Sequence, residues 1–322
     1  MDPATRTVQQ AYRQLLQQLT AIWGQGEARA TAIALFEDAF NRQRPADDES
    51  LLSQADTLRL EQFTQRLLER DEPLAYLTGV AHFAGLKLAI NPSVLIPRPE
   101  TEEWVYRVRQ DWEPIAGPQG SSTLQRKLIR VLEVGTGSGC IALALAHALP
   151  GFQVTALDIS PEALALAAQN ARKLGIAVHL LHGDFLDAAY RGSLPEFDLL
   201  LSNPPYIDPR ETPELERRVR DFEPHLALFG PAANPLAFYD ALAQFARNKV
   251  ALKNPGEGRH SPHTAVGQQS GQSNPDQPLP MAYLETSALT AAAALARWQR
   301  GGMNGKIEKD LSGRDRLLLG WR

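Results

Sequence analysis

Apolar residues near the start of the chain recur three and four apart. Val8, Ala11, Tyr12, Leu15, Leu16 and Leu19 share one face of a predicted helix, and Ala28 to Phe40 and Leu58 to Leu68 repeat the pattern. The polar stretch Arg42-Gln43-Arg44-Pro45-Ala46-Asp47-Asp48 separates two of these helices. Residues 1–73 therefore read as a small helical domain with no cluster of catalytic side chains. Its plain reading is a bundle and its functional reading a partner-recognition domain. The period then shortens: Phe83 to Ile90 and Val94 to Ile96 are β-prone runs joined by Asn91-Pro92-Ser93, which predicts a hairpin. Pro97-Arg98-Pro99-Glu100-Thr101-Glu102 suits the opening of a helix through Trp104 and Val108, and Glu113 to Ser122 reads as a linker. The hairpin and linker together span residues 74–127.

From Leu128 onward strands and helices alternate, the pattern of a doubly wound, mostly parallel sheet over residues 128–322. Leu128 to Glu133 is a strand running into Gly135-Thr136-Gly137-Ser138-Gly139 and a helix from Cys140 to Ala148. Gln153 to Leu157 ends at Asp158. Ser160 is placed as an N-cap, Pro161 as first helical residue and Gly175 as the stop. Ala177 to Leu181 precedes Gly183-Asp184-Phe185, and Phe197 to Ser202 ends at Asn203-Pro204-Pro205-Tyr206. Met281 to Glu285, a helix from Ala288 to Trp298, and a strand pair of Lys306 to Glu308 with Arg316 to Gly320 complete the pattern. Asn254 to Pro280, rich in Gly, Pro, Gln and Ser, reads as a disordered insertion.

Composition narrows the chemistry by exclusion. The chain has 322 residues, with 33 Lys and Arg against 37 Asp and Glu, a net charge of −4. No overall basic field draws it to nucleic acid or to an anionic membrane. A single cysteine, Cys140, excludes an internal disulfide and a multi-cysteine metal site, so no metal is expected. No run of ~18 apolar residues marks a membrane span and Met1 to Arg6 lacks a signal-peptide core, so a soluble cytoplasmic protein is expected.

The polar motifs fall at the carboxyl ends of strands, where open α/β sheets bind ligands. Gly135 to Gly139 forms a tight turn open to close approach, but its spacing is not the Gly-x-Gly-x-x-Gly of a dinucleotide fold. Asp158 is placed to take ribose hydroxyls, Asp184 to accept from an adenine amino group and Phe185 to cover its ring. Three such motifs in this order point to S-adenosylmethionine as cofactor. In Asn203-Pro204-Pro205-Tyr206 two prolines fix φ and remove donors. The Asn203 side-chain oxygen and the Pro204 carbonyl then accept both hydrogens of a planar NH2, with Tyr206 offering an aromatic face. A glutamine amide and an adenine amino group fit this description equally. His182, His225 and Glu223 are read as structural rather than as bases.

Leu132-Glu133-Val134-Gly135-Thr136-Gly137-Ser138-Gly139-Cys140-Ile141-Ala142 together with Asn203-Pro204-Pro205-Tyr206-Ile207 resembles the protein-(glutamine-N5) methyltransferases that modify peptide chain release factors. The likeness extends to Pro73 to Gly79, Leu95 to Glu102, Phe222-Glu223-Pro224 with Ala227-Leu228, and Asp310 to Arg316. It departs from the family pattern at Pro231 to Leu236, at Lys253 to Gly258 and at Thr286 to Leu289. The resemblance implies a Rossmann-like class I methyltransferase domain with an antiparallel terminal strand, after a helical substrate-recognition domain and a β-hairpin. It implies cofactor contact at Gly135 to Gly139, Asp158, Phe185 and Asn203, and substrate contact at Asn203 to Tyr206. The implied target is the glutamine of a release factor's Gly-Gly-Gln motif. The competing readings are an adenine amino-methyltransferase acting on DNA or RNA, and a non-catalytic binding protein associated with the ribosome or a factor.

Overall fold

The computed structural model describes residues 6–116, 128–251 and 279–322. Backbone contacts divide the chain into two compact units. The first comprises Met1–Ala81, Ile90–Pro92 and Leu215–Phe222, and the second His82–Ala89, Ser93–Glu214 and Glu223–Arg322.

The first unit is built from α1 (Val8–Trp23), α2 (Gln25–Phe40), α3 (Gln54–Gln65) and α4 (Leu74–Thr78). Thr7 and Gln10 close a capping box on α1, and Ser53 caps α3 by accepting from the Asp56 N–H. Val8, Ala11, Tyr12, Leu15 and Leu19 form the buried stripe of α1, facing Ala28, Ala32, Leu35 and Phe36 of α2. After α3 the chain widens into a π-helical turn, Arg66–Arg70, which ends at left-handed Asp71. Leu215–Phe222 also belongs to this unit, through Arg218, which pairs with Glu27 and Asp71 and lies over the Trp23 ring. Nothing in the local pattern of residues 215–222 announces that return.

The hairpin is displaced from its predicted place. It pairs β1 (Val80–Phe83) with β2 (Leu86–Ala89), while Val94 to Ile96 forms no strand. The turn is Ala84-Gly85, both at positive φ (48° and 79°), the backbone twist that two-residue hairpins require. Asn91-Pro92-Ser93 looked the better turn by composition, whereas Ala84 carries no such signal.

In the second unit α5 (Pro99–Ala116) runs further than predicted, so the expected linker begins no earlier than residue 117. The rest of that linker, 117–122, lies outside the described residues, as does the expected insertion except for Leu279 and Pro280. Buried Trp112 and Ala116 hold the last turn of α5, and the Gly151 N–H donates to the Ala116 carbonyl at 2.9 Å. The chain then alternates through β3 (Ile129–Val134), α6 (Cys140–Ala148), β4 (Phe152–Asp158), α7 (Pro161–Leu174), β5 (His179–His182), α8 (Ala188–Ser193) and β6 (Leu199–Ser202). Short α9 (Arg217–Arg220) falls in the first unit, and α10 (His225–Leu228) and α11 (Ala237–Lys249) return to the second. Next come β7 (Ala282–Glu285), α12 (Ala291–Arg300), β8 (Asn304–Lys309) and β9 (Asp315–Trp321).

Among the described residues these strands form a seven-stranded sheet of order β5-β4-β3-β6-β7-β9-β8, parallel from β5 to β7, with β9 antiparallel to its neighbours. Both faces are buried, as a parallel sheet demands. Ile129, Val131, Leu199, Leu201, Tyr283, Leu317 and Leu319 belong to one core cluster. Leu132, Val134, Leu200, Ala282, Leu284 and Leu318 belong to the other. Strand alternation accounts for that partition. The predicted caps stand where expected: Ser160 accepts from Ala163, Pro161 opens α7 and Gly175 closes it at φ 67°. No helix among the described residues is long and apolar enough to cross a membrane.

Candidate active site

Because β3 has β4 on one side and β6 on the other, the loops leaving all three strands converge at one end of the sheet. They line a cavity of about 510 Å³, which also touches Pro97, Arg98, Thr101, Leu226 and Phe238.

The glycine loop is held by backbone. The N–H groups of Gly135 and Thr136 donate to the Leu157 carbonyl at 2.8 and 3.1 Å, and Gly139 N–H donates to the Thr136 carbonyl at 2.9 Å. Gly139 adopts φ 81° before α6, and a Cβ there would stand 3.2 Å from both Ala167 Cβ and Leu143 Cδ1. Larger residues are excluded by conformation and by packing together. Asn170, fully buried on α7, ties the loop to the hairpin. Its Nδ2 donates to the Ser138 and Ala89 carbonyls, and its Oδ1 accepts from the Ala89 N–H at 2.7 Å. Sequence reasoning missed Asn170, since a single Asn inside a helix carries no signal of what it bridges.

Thr136 turns inward and donates to Glu133 Oε2 at 2.7 Å. Glu133 is fully buried, and desolvation pushes its carboxyl up to about 8 against the Thr136 hydrogen bond. It is therefore largely protonated at neutral pH. Asp158 sits at the end of β4 with Oδ2 accepting from Gly137 N–H at 2.8 Å and Oδ1 from Ser160 N–H at 2.9 Å. Burial raises its carboxyl, and those backbone hydrogen bonds oppose the rise. With the Ile159 N–H as a further donor, the carboxylate keeps acceptor capacity for a hydroxyl.

Beyond β5, Asp184 is exposed and its Oδ1 accepts from the Leu186 N–H. Phe185 lines the cavity, but its ring is 3% exposed and packs edge-on against Phe245, with centroids 5.5 Å apart. Core packing therefore fixes the ring that was expected to cover an adenine. Gly135 to Ser138, Asp158, Asp184 and Phe185 line the cavity, Gly139 standing just outside it, and the donors, acceptors and volume fit an adenosyl group carrying a short charged tail.

Asn203, Pro204 and Pro205 form the adjoining wall. Ser202 Oγ donates to the Val134 carbonyl at 2.8 Å, locking the end of β6 to β3. The Asn203 carbonyl lies 3.8 Å from where a Cβ on Gly135 would stand. Tyr206, by contrast, is not on the wall. It packs against the cluster of Leu200 and Leu284, and burial pushes its hydroxyl up. Its ring is partly buried against protein, and the next residue, Ile207, pairs with Phe229.

Two blocks noted separately in the sequence meet here. The Arg98 guanidinium pairs with Glu223, whose Oε2 also accepts from the Ile96 N–H, and Glu223 is buried. Burial pushes that carboxyl up and Arg98 opposes it. His182 Nε2 lies 3.0 Å from the Ile159 carbonyl, and His225 packs edge-on against Phe229.

Comparison with known proteins identifies the family. Residues 131–225 match a family model described as "Methyltransferase domain". A release factor glutamine methyltransferase of Bacteroides thetaiotaomicron is 40% identical over 181 residues, 56% of this chain and 60% of that one. One from Koribacter versatilis is 44% identical over 161 residues, 49% of this chain and 52% of that one, so the chain spans little more than half the length of these two relatives. One from Leptospira interrogans is 34% identical over 302 residues, 91% of this chain and 90% of that one. An identity of that level over nine-tenths of both chains places the chain in the release factor glutamine methyltransferase family.

Proposed function

We propose that this chain transfers a methyl group from S-adenosylmethionine to the side-chain amide nitrogen of the glutamine in the Gly-Gly-Gln motif of peptide chain release factors. The observation carrying the reading is that Asn203, at the end of β6, shares a cavity with the glycine turn and Asp158, in a chain of this family. Gly135 to Gly139, Asp158, Asp184 and Phe185 would hold the cofactor, which supplies an electrophilic methyl group when bound. Asn203 Oδ1 and the Pro204 carbonyl would accept the two N–H groups of the glutamine amide. An amide nitrogen is a poor nucleophile because its lone pair is delocalised, so this double acceptance has to set its direction. Such positioning is worth up to about 7–11 kcal/mol. Tyr206 supports the turn from behind. The methylated nitrogen is acidic and gives its proton to water, which leaves no task for Glu223, already held by Arg98.

Residues 1–73 are proposed to recognise the release factor, in the cytoplasm and without stable binding of nucleic acid or membrane. Labelled S-adenosylmethionine incubated with a release factor, its Gln→Ala variant and nucleic acid tests the whole reading. Label on the unmodified factor alone is expected. Label on nucleic acid alone would replace the glutamine with adenine, and no label anywhere would favour a binding role.

A further inference from the structure

Behind the Asn203 wall lies a chain of buried polar groups that the proposed chemistry has not used. Asn203 Nδ2 donates to Thr101 Oγ1 at 3.3 Å. Thr101 Oγ1 donates to Glu285 Oε2 at 2.6 Å, and Trp104 Nε1 donates to the same oxygen at 2.8 Å. Thr101, Trp104 and Glu285 are 2%, 3% and 1% exposed, so water does not compete for these bonds. Thr101 lines the cavity with Asn203, while Glu285 stands behind it on β7.

With Glu285 as a carboxylate, the form its Thr101 and Trp104 hydrogen bonds favour against burial, the directions in this chain are fixed. An indole N–H donates only, so Glu285 Oε2 accepts from Trp104. It accepts from Thr101 too, which commits the one hydroxyl hydrogen of Thr101 to Glu285. The remaining lone pairs of Thr101 Oγ1 then require a donor, and the facing limb of the Asn203 amide must be its NH2. A planar amide has two unlike limbs, and either could otherwise face the ligand. With Nδ2 tied to Thr101, Oδ1 is left for the cavity that Asn203 lines.

We infer that Thr101 and Glu285 are positioning residues that hold the Asn203 amide with its oxygen toward the substrate, and so select an NH2-bearing side chain over an acceptor such as a carboxylate. The inference rests on the reading of Asn203 as acceptor for the glutamine amide. A reversed amide would offer the substrate NH2 another NH2 and would suit glutamate instead. Discrimination between glutamine and glutamate is thus set by a residue 102 positions before Asn203 in sequence and, through it, by one 184 positions further on.

The test compares the full-length chain with its Thr101→Val, Thr101→Ser and Asn203→Ala variants on a release factor and on its Gln→Glu form as competitor. Thr101→Val keeps the shape and deletes the hydroxyl. It is expected to lower kcat about 100-fold with S-adenosylmethionine affinity unchanged, and to lower the melting temperature because buried Glu285 loses its hydroxyl donor. Thr101→Ser restores turnover. The Gln→Glu factor, a poor competitor of wild type, should compete with the unmodified factor on equal terms for Thr101→Val. Should Val fail to pack, Thr101→Ala gives the same comparison. Wild-type turnover and selectivity in Thr101→Val beside an inactive Asn203→Ala would overturn the relay while leaving Asn203 in its role. An active Asn203→Ala would instead remove the reading on which the relay stands.

Discussion

The glycine turn after β3 and the Asn203 turn after β6 end neighbouring strands and face one cavity, yet they are held by opposite means. Gly135 to Gly139 is fixed through its own backbone groups: its N–H donors find the Leu157 and Thr136 carbonyls and the Asp158 carboxylate, its Ser138 carbonyl accepts from Asn170, and positive φ at its glycines does the rest. Asn203 is fixed through its side chain, by Thr101 and behind it Glu285. A backbone-held turn is specified by which residues tolerate its conformation. A side-chain-held turn depends on partners that the topology must bring from elsewhere. The first should therefore respond to substitution mainly through binding and stability, and the second mainly through turnover.

The comparison is sharpened most by Asn203→Ala, for which kcat should fall about 10²–10³-fold while cofactor affinity and melting temperature hold, as single-turnover kinetics and calorimetry would show. Equal losses in cofactor binding and in turnover would erase the distinction between the two turns. Gly139→Ala should act in the other way. Its φ of 81° and the 3.2 Å approaches to Ala167 and Leu143 predict a loss of about 2 kcal/mol or more in denaturant titration, with weakened cofactor binding.

Asp158→Ala removes a carboxylate that accepts from Gly137 and Ser160. Cofactor affinity should drop about 10–100-fold, while turnover at saturating cofactor changes little. An unchanged dissociation constant would contradict the ribose assignment. The smallest effect is expected at Glu133. Its folded carboxyl titrates near 8 against an ordinary value of 4.5, so the protonated form is the one folding favours. Its stabilisation is complete below 4.5 and is lost as pH rises through 8. Glu133→Gln should flatten the decline in melting temperature between those values. A decline that keeps its wild-type slope would place the ionised form in the core.

Legibility in the sequence divides along the same line. Ser160, Pro161 and Gly175 announced α7 because capping is local, and the run of leucines in β6 announced a strand buried on both faces. That the glycine turn, Asp158 and Asn203 would stand together at strand ends was legible from the alternation of strands and polar motifs. The Arg98–Glu223 pair and the Thr101–Glu285 bond were not, since each joins segments more than a hundred residues apart. The packing of Tyr206 was illegible for a related reason: its local context suggested an open aromatic face, while the fold brings Leu200 and Leu284 against it. The hairpin failed differently, through Ala84 accepting a left-handed conformation that its identity does not advertise.

The pairing of β7 between β6 and β9 gives the site an order of assembly. The Asn203 strand can join β3 as soon as β6 is made, but the Glu285 carboxylate, which accepts from Thr101 behind Asn203, arrives with β7, after α11. Closing so long a loop is slow compared with local pairing such as β8 with β9. A chain caught before that step would already own a cofactor cradle and an Asn203 free to rotate. On the proposed reading, it would meet its methyl donor before Asn203 was oriented to choose an amide over an acid.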